Sequence, residues 1–184
     1  ATVRRLGDLV PASRVLVLTN ERLVGTVASQ LPELPAASII GEPCRRDTAP
    51  AIGLAAALIA PQAADATLVV MPADHVIQPA AVFQNAIRQA AELAAADHRR
   101  IVTFGIRPSY PAESFGYIER GAPIPGGTGA PVLQVQCFRL IALADVARQY
   151  VQAGRYYWNS GMFFWKARTI LDALQRFEPT MHAH

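Results

Sequence analysis

The amino-acid sequence predicts an α/β protein of three layers, in which a mostly parallel central sheet carries helices on both faces. Short runs rich in Val, Leu and Ile alternate with helical segments, which is the order expected of consecutive βαβ units. The helical segment 80–98 places Phe83, Ile87, Ala90 and Ala94 at helical spacing, so one of its faces is predicted to lie on the sheet. In sheets of this class ligands bind beyond the carboxyl ends of the strands.

The first half of the chain contains four predicted strands and three predicted helices. Apolar runs closed by polar residues, Gly or Pro predict the strands at 14–20, 37–43, 67–75 and 100–106. The helices are predicted at 21–31, 47–60 and 80–98. The second of them starts at Asp47 or Thr48 as a cap, has Pro50 in its first turn, and is apolar all round, which predicts a buried helix.

The composition of the chain changes after residue 106, where prolines and glycines become frequent. The segments 116–121 and 132–138 flank a glycine-rich turn and predict a hairpin rather than another βαβ unit. A helix is predicted to end at Gly154, and an aromatic strand follows with a polar break at Asn159-Ser160-Gly161. The last helix, 167–177, has Ile170, Leu174 and Phe177 on one face.

Length and composition favour a single domain that buries a substantial core, since the chain has 184 residues and is 52% hydrophobic. The net charge of +3 comes from scattered arginines, so nucleic-acid binding is not favoured. No apolar run reaches membrane length. Cys44 and Cys137 have neither metal nor redox spacing and are expected to be free thiols, which predicts a cytoplasmic protein.

The stretch "LVVMPADHVI" ends a buried strand with Asp74 and His75. A carboxylate at a strand end suits Mg²⁺, which prefers one or two carboxylates together with phosphate oxygens and water. A structural role for Asp74, in which its carboxylate caps the turn after the strand, is equally plausible. For His75, a structural role as a partly buried, hydrogen-bonding side chain is the more plausible one.

Two other stretches are candidates for ligand contacts. "GEPCRRDTAPAIG" follows a strand and opens a helix, so its backbone N–H groups could face a ligand, although Asp47 and Thr48 also suit a plain cap. Gly116 would allow a ligand to approach the backbone, and Asn159 offers both a donor and an acceptor to a sugar hydroxyl. For these stretches taken alone, a bend inside an aromatic core is the better explanation.

Taken in order, "GEPCRRDTAPAIGLAA", "VVMPADHVI", "TFGIRPSYPAESFGYIERG" and "GRYYWNSGMFFW" resemble the bacterial mannose-1-phosphate guanylyltransferases, or GDP-mannose pyrophosphorylases. The resemblance implies a Rossmann-like nucleotide-diphospho-sugar transferase fold. It implies that GTP and mannose 1-phosphate give GDP-mannose and pyrophosphate with Mg²⁺ as cofactor. A homodimer is a further expectation, and partners among nucleic acids or membranes are not expected.

The resemblance also implies roles for individual residues. Asp74 is expected to be the catalytic residue and the metal ligand. The expected nucleotide-binding residues are Asp47, Thr48, Pro50 and Ala73. The expected sugar-binding residues are Gly116, Tyr117, Asn159 and Ser160. One nucleotidyltransferase domain over 1–184, incomplete at both ends, is expected to divide into a nucleotide-binding part, 1–106, and a sugar-binding part, 107–184.

The chain departs from the family pattern in three places. It lacks the glycine-rich signature loop and the second metal-site aspartate, and Leu140, Ile141, Ala142 and Leu143 stand where the family has Glu-Lys-Pro-Asp. Two alternatives therefore stay open: a related nucleotidyltransferase with another base or sugar, and a non-catalytic paralogue that binds nucleotide sugars.

Overall fold

The structure is a computed structural model that describes residues 2–44, 47–125, 129–139 and 143–183. It confirms the α/β class. The strands are β1 (Val17–Asn20), β2 (Ile39–Glu42), β3 (Thr67–Val70), β4 (Val102–Ile106), β5 (Tyr117–Pro123), β6 (Leu133–Arg139) and β7 (Tyr156–Lys166). The helices are α1 (Thr2–Arg5), α2 (Val24–Gln30), α3 (Thr48–Ala63), α4 (Ala80–Ala96), α5 (Ala144–Ala153), α6 (Ala167–Phe177) and α7 (Pro179–His182).

The described strands form two sheets, and their directions depart from the expected mostly parallel order. Strands β1 and β2 pair in parallel. In the larger sheet, the described pairings of β3, β4 and β5 with β7, and of β5 with β6, are all antiparallel. The physical reason is the position of β7. It runs opposite to β3 and β4 and lies between them, so these two strands point the same way without being neighbours.

Strand β7 is the centre of the larger sheet because both of its edges are occupied. Phe164 pairs with Val69 of β3 and also with Val102 of β4, so these two strands lie on opposite sides of it. Nearer the start of β7, Trp158 pairs with Ile106 of β4 and with Tyr117 of β5. Strands β3 and β5 therefore share one edge of β7, one after the other. A single strand thus joins the two parts that the sequence divided near residue 106.

The main core lies between this sheet and α4. Phe83, Ile87, Ala90 and Ala94 of α4 are buried, as the helical spacing predicted, and they cluster with Met162 and Phe164 of β7. Alternate residues of a strand point to opposite faces, so Phe163 and Trp165 face away from α4. Helix α6 contacts β7 and α3 packs against α6, which supplies the third layer.

Two helical faces are more exposed than the sequence predicted. Within α3, Ile52 and Ala56 are buried, but Leu54 is 38% and Leu58 is 46% exposed, so the expectation of a fully buried helix is wrong. The α6 face predicted to hold Phe177 buries Leu174 and leaves Phe177 69% exposed. Hydrophobic periodicity identifies the apolar residues of a helix, but neighbouring elements decide which of them are covered.

Within the described ranges, none of the helices combines the length and the apolar character that crossing a bilayer would require.

Replacing Phe164 by Ala should lower the free energy of unfolding by about 3–5 kcal/mol, because a fully buried ring is removed from the contact between β7 and α4. Phe177→Ala makes the same chemical change at a 69% exposed position and should cost less than about 1 kcal/mol. Urea unfolding followed by circular dichroism measures both. Equal losses would contradict the position of the core.

Candidate functional site

The stretch that ends in Asp74 and His75 is a loop directly after β3. Strand β3 ends at Val70, and the next regular element, α4, begins at Ala80. Asp74 is exposed and His75 is half-buried. Within the described residues, no hydrogen bond or ion pair engages the Asp74 carboxylate. Its oxygens therefore face solvent, where a ligand can reach them, and a turn-capping contact by this side chain is not present.

A bend in β7 lies against this loop. Gly161 has φ +68°, the left-handed region that side chains rarely adopt. A Cβ at Gly161 would lie 3.4 Å from Cγ of Pro72 in the loop. The bend is a bulge, since Thr103 pairs with Phe163 whereas Gly105 pairs with Asn159, so β7 accommodates more residues than β4 does. The polar break predicted from the sequence is thus where β7 meets the Asp74 loop.

Asn159 connects the bend to the start of β5. Its backbone N–H donates to the carbonyl of Gly116 at 2.8 Å, and its side-chain Oδ1 accepts from the N–H of Gly161 at 3.1 Å. Gly116 has a close backbone neighbour, because a Cβ there would lie 3.5 Å from the carbonyl oxygen of Arg139. The structure therefore brings Gly116, Asn159 and the Asp74 loop to one place.

Two of the residues expected to bind sugar point their side chains inward. Tyr117 is fully buried, and its hydroxyl donates to the carbonyl of Ala112 at 2.9 Å. Ser160 is 6% exposed, and its Oγ accepts from the N–H of Met162 at 3.2 Å. Both side chains therefore hydrogen-bond to the main chain of the protein. Their contact with a sugar stays a prediction.

Three of the predicted nucleotide-binding residues lie at the start of α3. Asp47 is the residue before α3 and Thr48 is its first residue; both are exposed, and the Asp47 side chain makes no capping hydrogen bond. Pro50 is half-buried in the first turn. The described hydrogen bonds and ion pairs do not link this helix start to the Asp74 loop. Arg45 and Arg46 of the same stretch lie outside the described residues.

Ala73 is exposed, and its carbonyl accepts a hydrogen bond from Oγ1 of Thr2 at 2.8 Å. The structure thus places Ala73 beside Asp74 in the candidate site, with its main chain held by the N-terminal helix. The family position of Leu140, Ile141 and Ala142 falls outside the described residues, whereas Leu143 precedes α5 and is 79% exposed.

The residues present fit a magnesium ion held mainly by its substrate. Among the described residues, there is no group of three or more His, Cys, Asp or Glu side chains that could enclose a metal. Mg²⁺ does not require one, because it commonly takes one or two carboxylates and completes its octahedron with phosphate oxygens and water. The exposed carboxylate of Asp74 is a donor of that kind.

Sequence reasoning missed an aromatic wall beside the site. Tyr110 and Phe115, from the loop before β5, place their rings edge-on to Trp158, with centroids 4.9 Å and 5.1 Å away. The Nε1 atom of Trp158 is buried and has no acceptor in the described part of the chain. The aromatic content of 107–116 and 156–158 was visible in the sequence, but the contact between them depends on the pairing of β5 with β7.

Sequence reasoning also missed a charged cluster around Glu119. This side chain is 13% exposed and meets Nη2 of Arg139 at 2.9 Å and Nε of Arg155 at 3.0 Å. The hydrogen bond from Arg139, together with the Cys137 thiol and the charge of Arg155, holds the pKa of Glu119 below its usual range. Burial, followed by the hydrogen bond to Glu119, raises the pKa of the Cys137 thiol.

A cleft of about 630 Å³ opens just beyond the Asp74 loop. Arg5 and the residues from Ile77 to Ala80 line it. It contains none of the residues expected to bind sugar, so it adjoins the candidate site without enclosing it.

Comparison with known proteins assigns the chain to a family. Residues 8–183 match the family model described as nucleotidyl transferase. The chain belongs to the nucleotidyl transferase family. Two solved structures share its fold. A mannose-1-phosphate geranyltransferase of Thermus thermophilus has 28% sequence identity and a TM-score of 0.84, with 99% of this chain and 51% of that chain covered. A mannose-6-phosphate isomerase of Helicobacter pylori has 31% identity and a TM-score of 0.82, with 99% and 66% covered.

Curated relatives in this nucleotidyl transferase group are longer than the chain. The mannose-1-phosphate guanylyltransferase RfbM of Salmonella typhimurium is 42% identical over 185 residues, which cover 98% of this chain and 37% of that protein. The xanthan biosynthesis protein XanB of Xanthomonas campestris pv. campestris is 40% identical over 176 residues, which cover 94% of this chain and 36% of that protein. The chain therefore spans little more than a third of the length of these relatives.

Gly161→Ala should lower the free energy of unfolding, because a side chain at a φ of +68° is strained and its Cβ would lie 3.4 Å from Cγ of Pro72. Gly154→Ala is the matched control, since Gly154 has φ +65° with nothing within 4 Å of its Cβ position. Both should lose about 1–2 kcal/mol of unfolding free energy. Urea unfolding measures both losses. Backbone hydrogen exchange over 71–75 should be faster in Gly161→Ala alone, because only that position contacts Pro72 of the Asp74 loop, and equal exchange in the two variants would contradict this contact.

Glu119→Gln should destabilise the protein near neutral pH, and this effect should fade as the pH falls. The folded-state pKa of Glu119 is lowered, so its carboxylate stabilises the fold above the ordinary glutamate pKa. That stabilisation is lost as the pH drops through the lowered value. The urea midpoints of the two proteins should therefore differ at pH 7, and this difference should be smaller at pH 3.

The control for this comparison is Asp145→Asn, which removes a carboxylate paired with Arg148 at an 85% exposed position. An exposed pair contributes little, so this variant should differ little from the parent at pH 7. A gap between Glu119→Gln and the parent that persists unchanged at pH 3 would contradict the electrostatic role of Glu119.

Proposed function

We propose that this chain forms the catalytic part of a mannose-1-phosphate guanylyltransferase, which transfers GMP from GTP to mannose 1-phosphate. The observation that carries the proposal is the contact of the Asp74 loop with the bend of β7, where Pro72 lies beside Gly161 and Asn159 binds Gly116. It unites a carboxylate suited to a metal–phosphate complex with polar groups suited to a sugar. The names of RfbM and similar relatives support the choice of substrates.

The reaction requires little acid–base chemistry from the protein. A phosphate oxygen of mannose 1-phosphate attacks the α-phosphorus of GTP. The bond between the α-phosphorus and the bridging oxygen breaks, and pyrophosphate leaves with that electron pair. The nucleophile is already ionised near neutral pH, so positioning and charge neutralisation are the main requirements.

Asp74 would hold Mg²⁺ in this scheme. When bound, Mg²⁺ supplies charge neutralisation at phosphate oxygens. Asn159 and the main chain at Gly116 would orient the sugar, whereas Asp47, Thr48, Pro50 and Ala73 are the proposed nucleotide contacts. Tyr117 and Ser160 would stabilise the backbone around these groups through their hydrogen bonds to Ala112 and Met162.

The segment at 140–143 favours one alternative, a paralogue that binds a nucleotide sugar without turning it over. Leu140, Ile141, Ala142 and Leu143 offer neither the carboxylate nor the ammonium group that the family pattern has at these positions. A related nucleotidyltransferase with another base or sugar is the other alternative. The cytoplasmic location and the homodimer remain proposals as well; the free thiols of Cys44 and Cys137 support the former.

The decisive test measures pyrophosphate release by the protein at its full natural length, with Mg²⁺, mannose 1-phosphate and each of the four nucleoside triphosphates. Turnover should be selective for GTP. Asp74→Asn should lower kcat/KM by about a hundredfold or more, because a metal ligand contributes several kcal/mol to the stabilisation of charge. Asp145→Asn, which removes an exposed carboxylate from α5, should leave the rate unchanged.

Each other outcome identifies an alternative. Turnover with a different nucleotide or sugar phosphate would assign the chain to a related nucleotidyltransferase. Binding of GDP-mannose without turnover of any substrate would favour the non-catalytic paralogue. Full activity of Asp74→Asn would exclude Asp74 as the metal ligand.

A further inference from the structure

Two side chains of the N-terminal helix hold the loop that carries Asp74. Oγ1 of Thr2 donates to the carbonyl of Ala73 at 2.8 Å, and Nη2 of Arg5 donates to the carbonyl of His75 at 2.6 Å. Both acceptors are more than 65 residues away along the chain from their donors, so these are tertiary contacts and not local capping. They engage the main chain on both sides of Asp74.

These two hydrogen bonds fix the peptide planes that flank Asp74 and His75. The Ala73 carbonyl belongs to the peptide unit before Asp74, and the His75 carbonyl belongs to the unit after His75. Because peptide units are planar, fixing both of them restricts the backbone torsions of the two residues between them. The direction in which the Asp74 carboxylate leaves the loop is therefore restricted as well.

Helix α1 is itself anchored where α4 begins. Nε2 of Gln84 donates to the backbone carbonyl of Arg5 at 2.9 Å, and the Arg5 guanidinium lies 5.7 Å from the ring centroid of Phe83. Phe83 belongs to the buried core, so Arg5 contacts both that core and the loop. Arg5 is half-buried, which adds to the fixed geometry of its contact with His75.

We propose that Thr2 and Arg5 are positioning residues that pre-organise Asp74 for its metal ion, an inference that rests on the proposed function. Mg²⁺ demands near-ideal octahedral geometry, so a carboxylate on a loosely held loop binds it less well. Partners that orient a metal ligand typically contribute roughly 10-fold to 100-fold to metal affinity. Thr2 and Arg5 provide that orientation through the main chain of the loop.

Arg4 supplies a matched control. It is the neighbour of Arg5 in α1 and carries the same charge, but its Nε meets the Glu33 carboxylate at 3.2 Å and its Nη2 meets the carbonyl of Gln30 at 3.4 Å. Removing Arg4 takes away one positive charge from the same helix and leaves the Asp74 loop contacts in place. Comparing the two arginines therefore separates the loop contact from a general effect of charge.

The first measurement is the affinity for Mn²⁺ in the presence of GDP-mannose, followed by electron paramagnetic resonance on the protein at its full natural length. Arg5→Met and Thr2→Val, which lack the donors, should weaken Mn²⁺ binding about tenfold or more. Arg5→Lys and Thr2→Ser, which keep a donor, should restore most of the affinity. Arg4→Met should bind Mn²⁺ like the parent.

The second measurement needs neither metal nor activity. Backbone hydrogen exchange over 73–76 should be faster in Arg5→Met and Thr2→Val than in Arg4→Met, while exchange in α4 stays unchanged. If Arg5→Met does not fold, Thr2→Val carries the test, because it removes a single hydrogen bond to the loop, and Thr2→Ser is its matched control.

The outcomes separate this inference from the proposed function. Mn²⁺ binding that weakens in Asp74→Asn but not in Arg5→Met or Thr2→Val would overturn the positioning role and leave the function intact. Equal weakening by Arg4→Met and Arg5→Met would overturn it too, since charge alone would then explain the effect. Parental Mn²⁺ affinity in Asp74→Asn would overturn the metal assignment on which both rest.

Discussion

The pairing of β7 on both of its edges is the constraint on which the rest of the structure depends. Its second half hydrogen-bonds to β3 and its first half to β5, while β4 follows the other edge. Strands β3 and β4, before residue 106, and strands β5 to β7, after it, therefore belong to one hydrogen-bonded sheet. A strand that must satisfy its backbone groups on both sides cannot shift its register without breaking both ladders.

The bend of β7 at Gly161 lies at the candidate site. An uninterrupted β7 would keep its side chains in strict alternation. Gly161 adopts a positive φ in this bulge, and the side-chain oxygens of Asn159 and Ser160 accept hydrogen bonds from the N–H groups of Gly161 and Met162. The polar residues inside this aromatic strand thus serve the hydrogen bonds of the backbone. The same residues lie beside the Asp74 loop.

The charged groups of the described chain divide into structural and solvent-facing ones. Glu119 of β5 is enclosed by Arg139 of β6 and by Arg155, the residue before β7, and its lowered pKa keeps it ionised near neutral pH. Asp74 has the opposite surroundings, with an exposed carboxylate on a loop whose backbone is held by Thr2 and Arg5. A carboxylate whose main chain is fixed and whose oxygens face solvent is suited to an incoming ligand, whereas one enclosed by two arginines is suited to holding strands together.

The sequence by itself determined the elements that depend on neighbours along the chain. Helical spacing identified the buried residues of α4, Gly154 ended α5, and the glycine-rich turn identified the β5–β6 hairpin. The order of its motifs also indicated the family to which residues 8–183 belong. These features can be recognised from the sequence alone, because they depend on periodicity and on the conformational freedom of single residues.

Only the tertiary structure decided which of these elements meet. Nothing in the local pattern of 156–166 shows that this strand lies between β3 and β4, so the antiparallel order of the larger sheet was not predicted. The inward side chains of Tyr117 and Ser160, the exposure of Leu54, and the hold of Arg5 on the Asp74 loop follow from contacts between residues far apart in sequence. Such contacts depend on strand pairing and on which helix covers which face, and the sequence alone does not state either.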